Sequence, residues 1–203
     1  MARATFNPNT VDSSGENPGM YLKETADGQF VTLISFFRVV ISPHGKGHAA
    51  FMLLDPHGDG GDQEKPNVCL TDNEPLAEYL KKGFVSCFSA FKGVMGLSNM
   101  QMKPGWDFMS SGDGRTSHTE WFRSAIGQVN LTWDKLSAPF MVELMKEQSA
   151  TGAHEMFSLF LESSLATITI NGKAVAGKSV PRDWIGRKST TAFLAFSETW
   201  IKA

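Results

Sequence analysis

Apolar residues crowd the stretch QFVTLISFFRVVIS, which follows Gly28, and its β-branched and aromatic content predicts a long strand. Both alternating faces are largely apolar, so this strand should be covered on each side. The glycine-rich turn SPHGKGH leads to a second strand at AAFMLLD, and the polar loop DPHGDGGDQEKPN leads to a short one at VCL. The pattern becomes helical in TDNEPLAEYLKKGF, with Asp72 or Thr71 as cap, Glu74 and Pro75 in the first turn and Gly83 near the end. The apolar text VSCFSAFKGVMGL fits a second helical segment or a further strand, because period alone does not separate them.

The rest of the chain reads as strands punctuated by Gly, Pro, Asn, Asp and Ser: GWDFMSSG, HTEWFRSAIGQVNLTW, PFMVELMKE, HEMFSLFLES, LATITING with KAVAG, and TAFLAFSETWIKA. Asn171-Gly172 in INGKAV is the dipeptide that a type I′ hairpin turn favours. Residues 1–27, rich in Asn, Pro, Ser and Gly without a sustained period, are expected to form an extended arm, and residues 28–203 a single β-rich domain. Many strands with one or two short helices predict a mainly β fold, an antiparallel β-barrel or a barrel-like sandwich. In broad shape this pattern is similar to the lipocalin-like class of barrels. No family motif accompanies the similarity, so it implies shape alone.

Composition narrows the functional classes. At 203 residues, with 41% hydrophobic and 20% charged side chains and a net charge of -2, the chain lies in the ordinary globular range, and capture of nucleic acid by bulk charge is not expected. MARATFNPNTVDSSGENPG lacks the apolar core of a secretory signal, and no uncharged run is long enough to cross a bilayer, so a soluble, cytoplasmic protein without membrane contact is expected. Cys69 and Cys87 follow no paired metal spacing and read as buried or partly buried thiols.

Candidate chemistry centres on two stretches. In HEMFSLFLES the strand period puts His154, Met156, Ser158, Phe160 and Glu162 on one face, and Glu155, Phe157, Leu159, Leu161 and Ser163 on the other. The second face reads as the core stripe. The first, mostly apolar with a few polar groups, reads as a ligand-facing wall with Met156 and Phe160 as substrate contacts. In GDGRTSHTEWF, His118 and Glu120 are two apart and share a strand face, with Arg115 as an anion anchor and Trp121 as a further substrate contact. Glu143 interrupts the apolar PFMVELM. Convergence of His118, Glu120, Glu143 and His154 on the barrel interior would give a proton-transfer site, since an imidazole steadied by a carboxylate moves protons near neutral pH.

Other chemistry finds less support. HxH, HExxH, CxxC and GxSxG are all absent, so no metal and no serine nucleophile is expected. The acidic loop DPHGDGGDQE lacks the ligand spacing of a calcium loop, and the glycines beside Lys46 and Lys173 lack that of a phosphate loop. Arg182 and Arg187 in VPRDWIGRKST have the chemistry to clamp a carboxylate or phosphate, although a solvated loop with local ion pairs is the plainer reading. The expectation is an enzyme doing cofactor-independent acid/base chemistry, of lyase, hydratase, isomerase or cyclase type, on a small hydrophobic or aromatic substrate in a barrel pocket. The competing expectation is a non-catalytic carrier of an apolar ligand. A third is assembly into a homo-oligomer through the N-terminal arm.

Overall fold

The β-rich text folds as a barrel closed by pairing between distant parts of the chain. The computed structural model describes residues 10–58, 62 and 64–203. Strands β1 (Val11–Glu16), β2 (Gly19–Lys23), β3 (Phe30–Ile41), β4 (Gly47–Leu53) and β5 (Asn67–Thr71) precede helix α1 (Glu74–Gly83). A 3-10 turn at Val85–Cys87 and helix α2 (Met95–Ser98) follow. Then come β6 (Gln101–Gly112), β7 (Ser117–Ser124), β8 (Gly127–Leu136), β9 (Phe140–Leu144) and β10 (His154–Ile170). The chain continues with β11 (Lys173–Ala174), β12 (Pro181–Trp184), β13 (Arg187–Thr190) and β14 (Ala192–Lys202).

Nine strands form the closed ring, in the order β14, β2, β3, β4, β5, β6, β7, β8, β10, with β10 returning to β14. Among the described residues every strand pairing but one is antiparallel: β5 and β6 run parallel from Val68↔Gln101 to Thr71↔Pro104. The barrel is therefore mixed, which corrects the antiparallel expectation. A parallel neighbour needs a crossover connection, and α1, the 3-10 turn and α2 provide it.

Residues 11–23, assigned by sequence to an arm, belong to the sheet. β1 pairs with both β14 and β3, and β2 takes the same place one step along the barrel after the break at Asn17-Pro18. The sequence VDSSGE carries no apolar alternation, because this strand is held through its backbone and polar side chains. Gly15 is required where β1 crosses β3, since a Cβ there would lie 2.0 Å from the Arg38 carbonyl oxygen. The proposed arm's remaining part, residues 1–9, lies outside the described residues.

The barrel interior is a packed core. Met20, Ile34, Phe36, Met52, Phe122 and Trp133 are fully buried on the inner face, and the Trp133 indole donates to the Gly19 carbonyl at 3.0 Å. The outer face carries a second core in which Leu33, Phe37, Phe51 and Cys69 pack against Leu76, Ala77 and Leu80 of α1 and against Phe84, Phe91 and Trp200. This double covering is why β3 reads as apolar on both faces.

Asn73, rather than Asp72 or Thr71, caps α1: its Oδ1 accepts from the Leu76 amide at 3.1 Å. Its Nδ2 also donates to the carbonyls of His44 and Lys46, at 3.0 and 3.1 Å. Loss of the cap and of this tether should place Asn73→Ala at the upper end of cap substitutions, about 2 kcal/mol less stable by urea unfolding.

β10 is one continuous strand, and its exposure inverts the expectation. His154, Met156, Ser158 and Phe160 are buried, while Phe157 and Leu159 are each 37% exposed. The mixed face lies under the outer core, whereas the apolar one, on the inner side, runs past the end of the filled barrel beside Met141 and Glu143 of β9. VPRDWIGRKST likewise forms paired strands, β12 and β13, where a loop was expected. The Asn171-Gly172 turn takes the positive φ values of 52° and 77° that a type I′ turn needs.

Candidate functional site at the polar end of the barrel

Toward one end, the inner face changes from apolar to charged. His118, Glu120 and Phe122 share the inner side of β7, and Arg38 follows Phe36 on the inner side of β3. Glu120 has no solvent exposure. Its Oε1 accepts from His118 Nε2 at 2.9 Å, and its Oε2 accepts from Arg38 Nη2. Arg38 Nε also lies 3.4 Å from Glu16 of β1.

The chain of contacts continues outward. Arg38 Nη1 donates to His48 Nε2 at 3.1 Å, so Nδ1 carries the His48 ring proton and donates it to Asp72 Oδ2 at 2.7 Å. The His48 amide adds a bond to Asp72 Oδ1 at 2.6 Å. Burial raises the Asp72 carboxyl, but these donors outweigh it and hold the group below the usual carboxylate range. The His48 ring stacks on Phe108 at 4.5 Å, and Phe108 stacks on Phe122 at 4.9 Å. A continuous line of polar groups thus joins Asp72, His48, Arg38, Glu120 and His118, seated on the aromatic core.

An ion pair of this depth is weak evidence for stability, because the cost of desolvating both charges offsets most of their attraction. Its chemistry is more distinctive. With Nε2–H committed to Glu120, His118 presents Nδ1, which has no hydrogen-bond partner among the described residues, and a tenth of its side chain is open. Outside, a shallow depression is lined by Arg38, Val40, Lys46, His48, Asp72 and Asn73 among others. Val40, Phe157 and Leu159 are exposed apolar residues on the inner face toward this end of the barrel.

Of the four expected catalytic residues, the structure brings only His118 and Glu120 into contact. His154 lies on the outer face, against Phe84 and Trp200. Its Nε2 pairs with Asp12 of β1 at 2.9 Å, and its Nδ1 with Thr151 at 2.9 Å. Lys202 and Tyr79 also bind Asp12. Burial raises the Asp12 carboxyl, but the bonds from Lys202, Tyr79 and His154 outweigh it and lower its pKa. This second cluster fastens the N-terminal strand to the barrel. The expected convergence of His154 with His118 is thereby corrected: His154 of β10 packs on the outer core and His118 of β7 on the inner one, so the two lie on opposite faces of the sheet.

Glu143 is exposed on β9, directly opposite Phe157. Arg115 is exposed in the turn after β6, where its amide donates to Asp113 Oδ1 at 2.8 Å. Trp121 is partly buried on the outer side of β7 under the Arg123 guanidinium, 5.7 Å from the ring centre. Met156 and Phe160 belong to the outer core, and Phe160 stacks on Trp184 at 4.5 Å and on Phe193 at 4.8 Å.

Sequence reasoning missed Arg38, His48 and Asp72. Arg38 did leave a signal, as the single charge in FVTLISFFRVVI, where an inward guanidinium requires a carboxylate partner. His48 and Asp72 sat in segments read as turn and cap, and only the pairing of β4 with β5 joins them, with Ala49↔Thr71 at that end of the ladder. Among the described residues, no three His, Cys, Asp or Glu side chains group as metal ligands, and no helix is long and apolar enough to cross a membrane. No protein-family model, curated protein or solved structure matches the chain.

Proposed function

We propose that the protein is a small-molecule enzyme that carries out cofactor-independent acid/base chemistry at the polar end of its barrel. The observation that carries this reading is Glu120, a carboxylate without solvent exposure that holds both an imidazole and a guanidinium. Glu120 fixes the His118 tautomer so that Nδ1 is the proton acceptor. Arg38, anchored by Glu120 and Glu16, supplies positive charge where an oxyanion develops on a substrate carbonyl. The apolar body of a hydrophobic or aromatic substrate would rest on Phe157, Leu159 and Val40 at the mouth, because side chains fill the lumen. A proton shift of this kind serves a lyase, hydratase, isomerase or cyclase.

The carrier reading has the same mouth available, but it gives the buried Glu120–Arg38 pair no task. Incubating the protein with a small-molecule extract in D2O should produce a metabolite that gains deuterium or is converted. His118→Gln should slow that change by about 10²–10⁴ while the protein stays folded. Binding of a metabolite without exchange or conversion would favour the carrier. Equal turnover by wild type and His118→Gln would remove His118 from the chemistry.

A further inference from the structure

Among the described residues the hairpin of β12 and β13 shares no ladder with the barrel; its two strands pair with each other, from Pro181↔Thr190 to Trp184↔Arg187. Its inward residue, Arg182, packs among aromatic rings of the outer core. The guanidinium carbon lies 5.1 Å from the Phe193 ring centre, 5.3 Å from Trp184 and 5.9 Å from Tyr21. Contacts with ring faces leave the in-plane N–H edges uncommitted.

Arg182 Nε and Nη2 are shut off from solvent and have no hydrogen-bond partner among the described residues. These two atoms form one edge of the guanidinium, whose parallel N–H groups match the two oxygens of a carboxylate. Glu162 Oε1 is a third buried atom that lacks a hydrogen bond among the described residues; its ion pair with Arg187 Nε, at 3.8 Å, is beyond hydrogen-bond reach. Glu162 and Arg182 sense each other's charge, since Glu162 partly offsets the lowering of the Arg182 pKa by burial. Two donors on a cation and one acceptor on an anion thus lack hydrogen bonds beside a wall of Tyr21, Phe160, Trp184 and Phe193. Burying charged atoms without hydrogen bonds carries a cost that a folded chain sustains when a ligand completes them.

We infer that this is a binding site for a small zwitterion of the amino-acid class, closed by the β12–β13 hairpin. The ligand carboxylate takes the Nε/Nη2 edge of Arg182, its ammonium takes Glu162 Oε1, and its apolar side chain meets the aromatic wall. A plain anion would face the Glu162 carboxylate, and a plain cation would face Arg182. Stacking of Trp184 on Phe160 is the contact that entry must release. The site lies on the outer face of the barrel and is independent of the His118 chemistry.

The test is thermal stabilisation of the full chain by the proteinogenic amino acids, one at a time, followed by calorimetric titration of those that act. At least one amino acid with an apolar side chain should bind saturably. Its acid-only and amine-only analogues, such as phenylacetate and phenethylamine beside phenylalanine, should bind about tenfold more weakly or worse. Arg182→Lys and Glu162→Gln should each weaken binding by a similar factor, while Asp183→Asn, on the exposed side of the same strand, should leave it unchanged. Absence of stabilisation by every amino acid would overturn the inference, as would equal binding by the analogues or by the two site variants.

Discussion

Glu120→Ala should destabilise the protein by roughly 3–5 kcal/mol, the range seen when one member of a buried ion pair is removed. The substitution leaves His118 Nε2–H without its acceptor and Arg38 with Glu16 as its remaining carboxylate. Neither group gains enough water to compensate, because His118 lies between Phe196 and Trp133 and Arg38 lies over the Phe36 ring. Replacing the group as a whole, with Arg38→Met, His118→Phe and Glu120→Leu together, should recover most of the loss, since apolar packing removes the desolvation cost. Urea midpoints and slopes for the two variants separate these outcomes. A loss below about 1 kcal/mol for Glu120→Ala would mean that the carboxylate is not holding its partners.

Glu198→Gln should stabilise the protein at pH 8 by roughly 3 kcal/mol and change little at pH 4. Glu198 is buried on the outer side of β14, where burial pushes its carboxyl up to about 7 against the pull of hydrogen bonds from Trp200 and Asn17. Those bonds, from the Trp200 indole at 2.8 Å and the Asn17 amide at 3.1 Å, both reach Oε1, which glutamine retains as a carbonyl. Below about pH 4.3 the carboxyl is protonated in both the folded and unfolded chains, so it adds no difference. As pH rises toward 7 the unfolded chain ionises first, and the folded state loses the stability that came from holding the proton. Asp12 and Asp72, lowered in the folded state, act in the opposite sense, with stability lost as pH falls. Their contribution cancels in the comparison with wild type. Parallel urea curves for both proteins across this range give the result; a constant difference would show that Glu198 does not titrate near neutrality.

Local chemistry was legible where the backbone itself decides. Glu74 and Pro75 marked the first turn of α1, and Asn171-Gly172 marked a hairpin, because each acts within a few residues. The cap was misplaced by one residue, since Thr71, Asp72 and Asn73 all suit a helix start. Only the tertiary fold sends Asp72 to His48 and leaves Asn73 for the helix. Alternation in β10 assigned its residues to faces correctly, yet it misjudged which face is covered. That depends on how far the barrel filling extends along a 17-residue strand. The hairpin of β12 and β13 was hidden by its charges, although Ile185-Gly186, at φ 45° and 77°, is a two-residue turn between runs of equal length. His118 with Glu120 was readable because two residues on one strand face are neighbours in any fold. Arg38 reached that pair from another strand, and strand order is not written in local pattern.

Barrel closure also sets an order in time. β14 joins β10 on one side and β1 and β2 on the other, and its Thr199 hydroxyl meets Ser14 across 185 positions of sequence. While the chain is being synthesised, β2 and β10 therefore present open edges until Ala192–Lys202 arrives. Contacts of such long sequence separation favour slow folding, and exposed edges recruit other chains. A chain stopped before Ala192 should accordingly aggregate rather than form a smaller barrel.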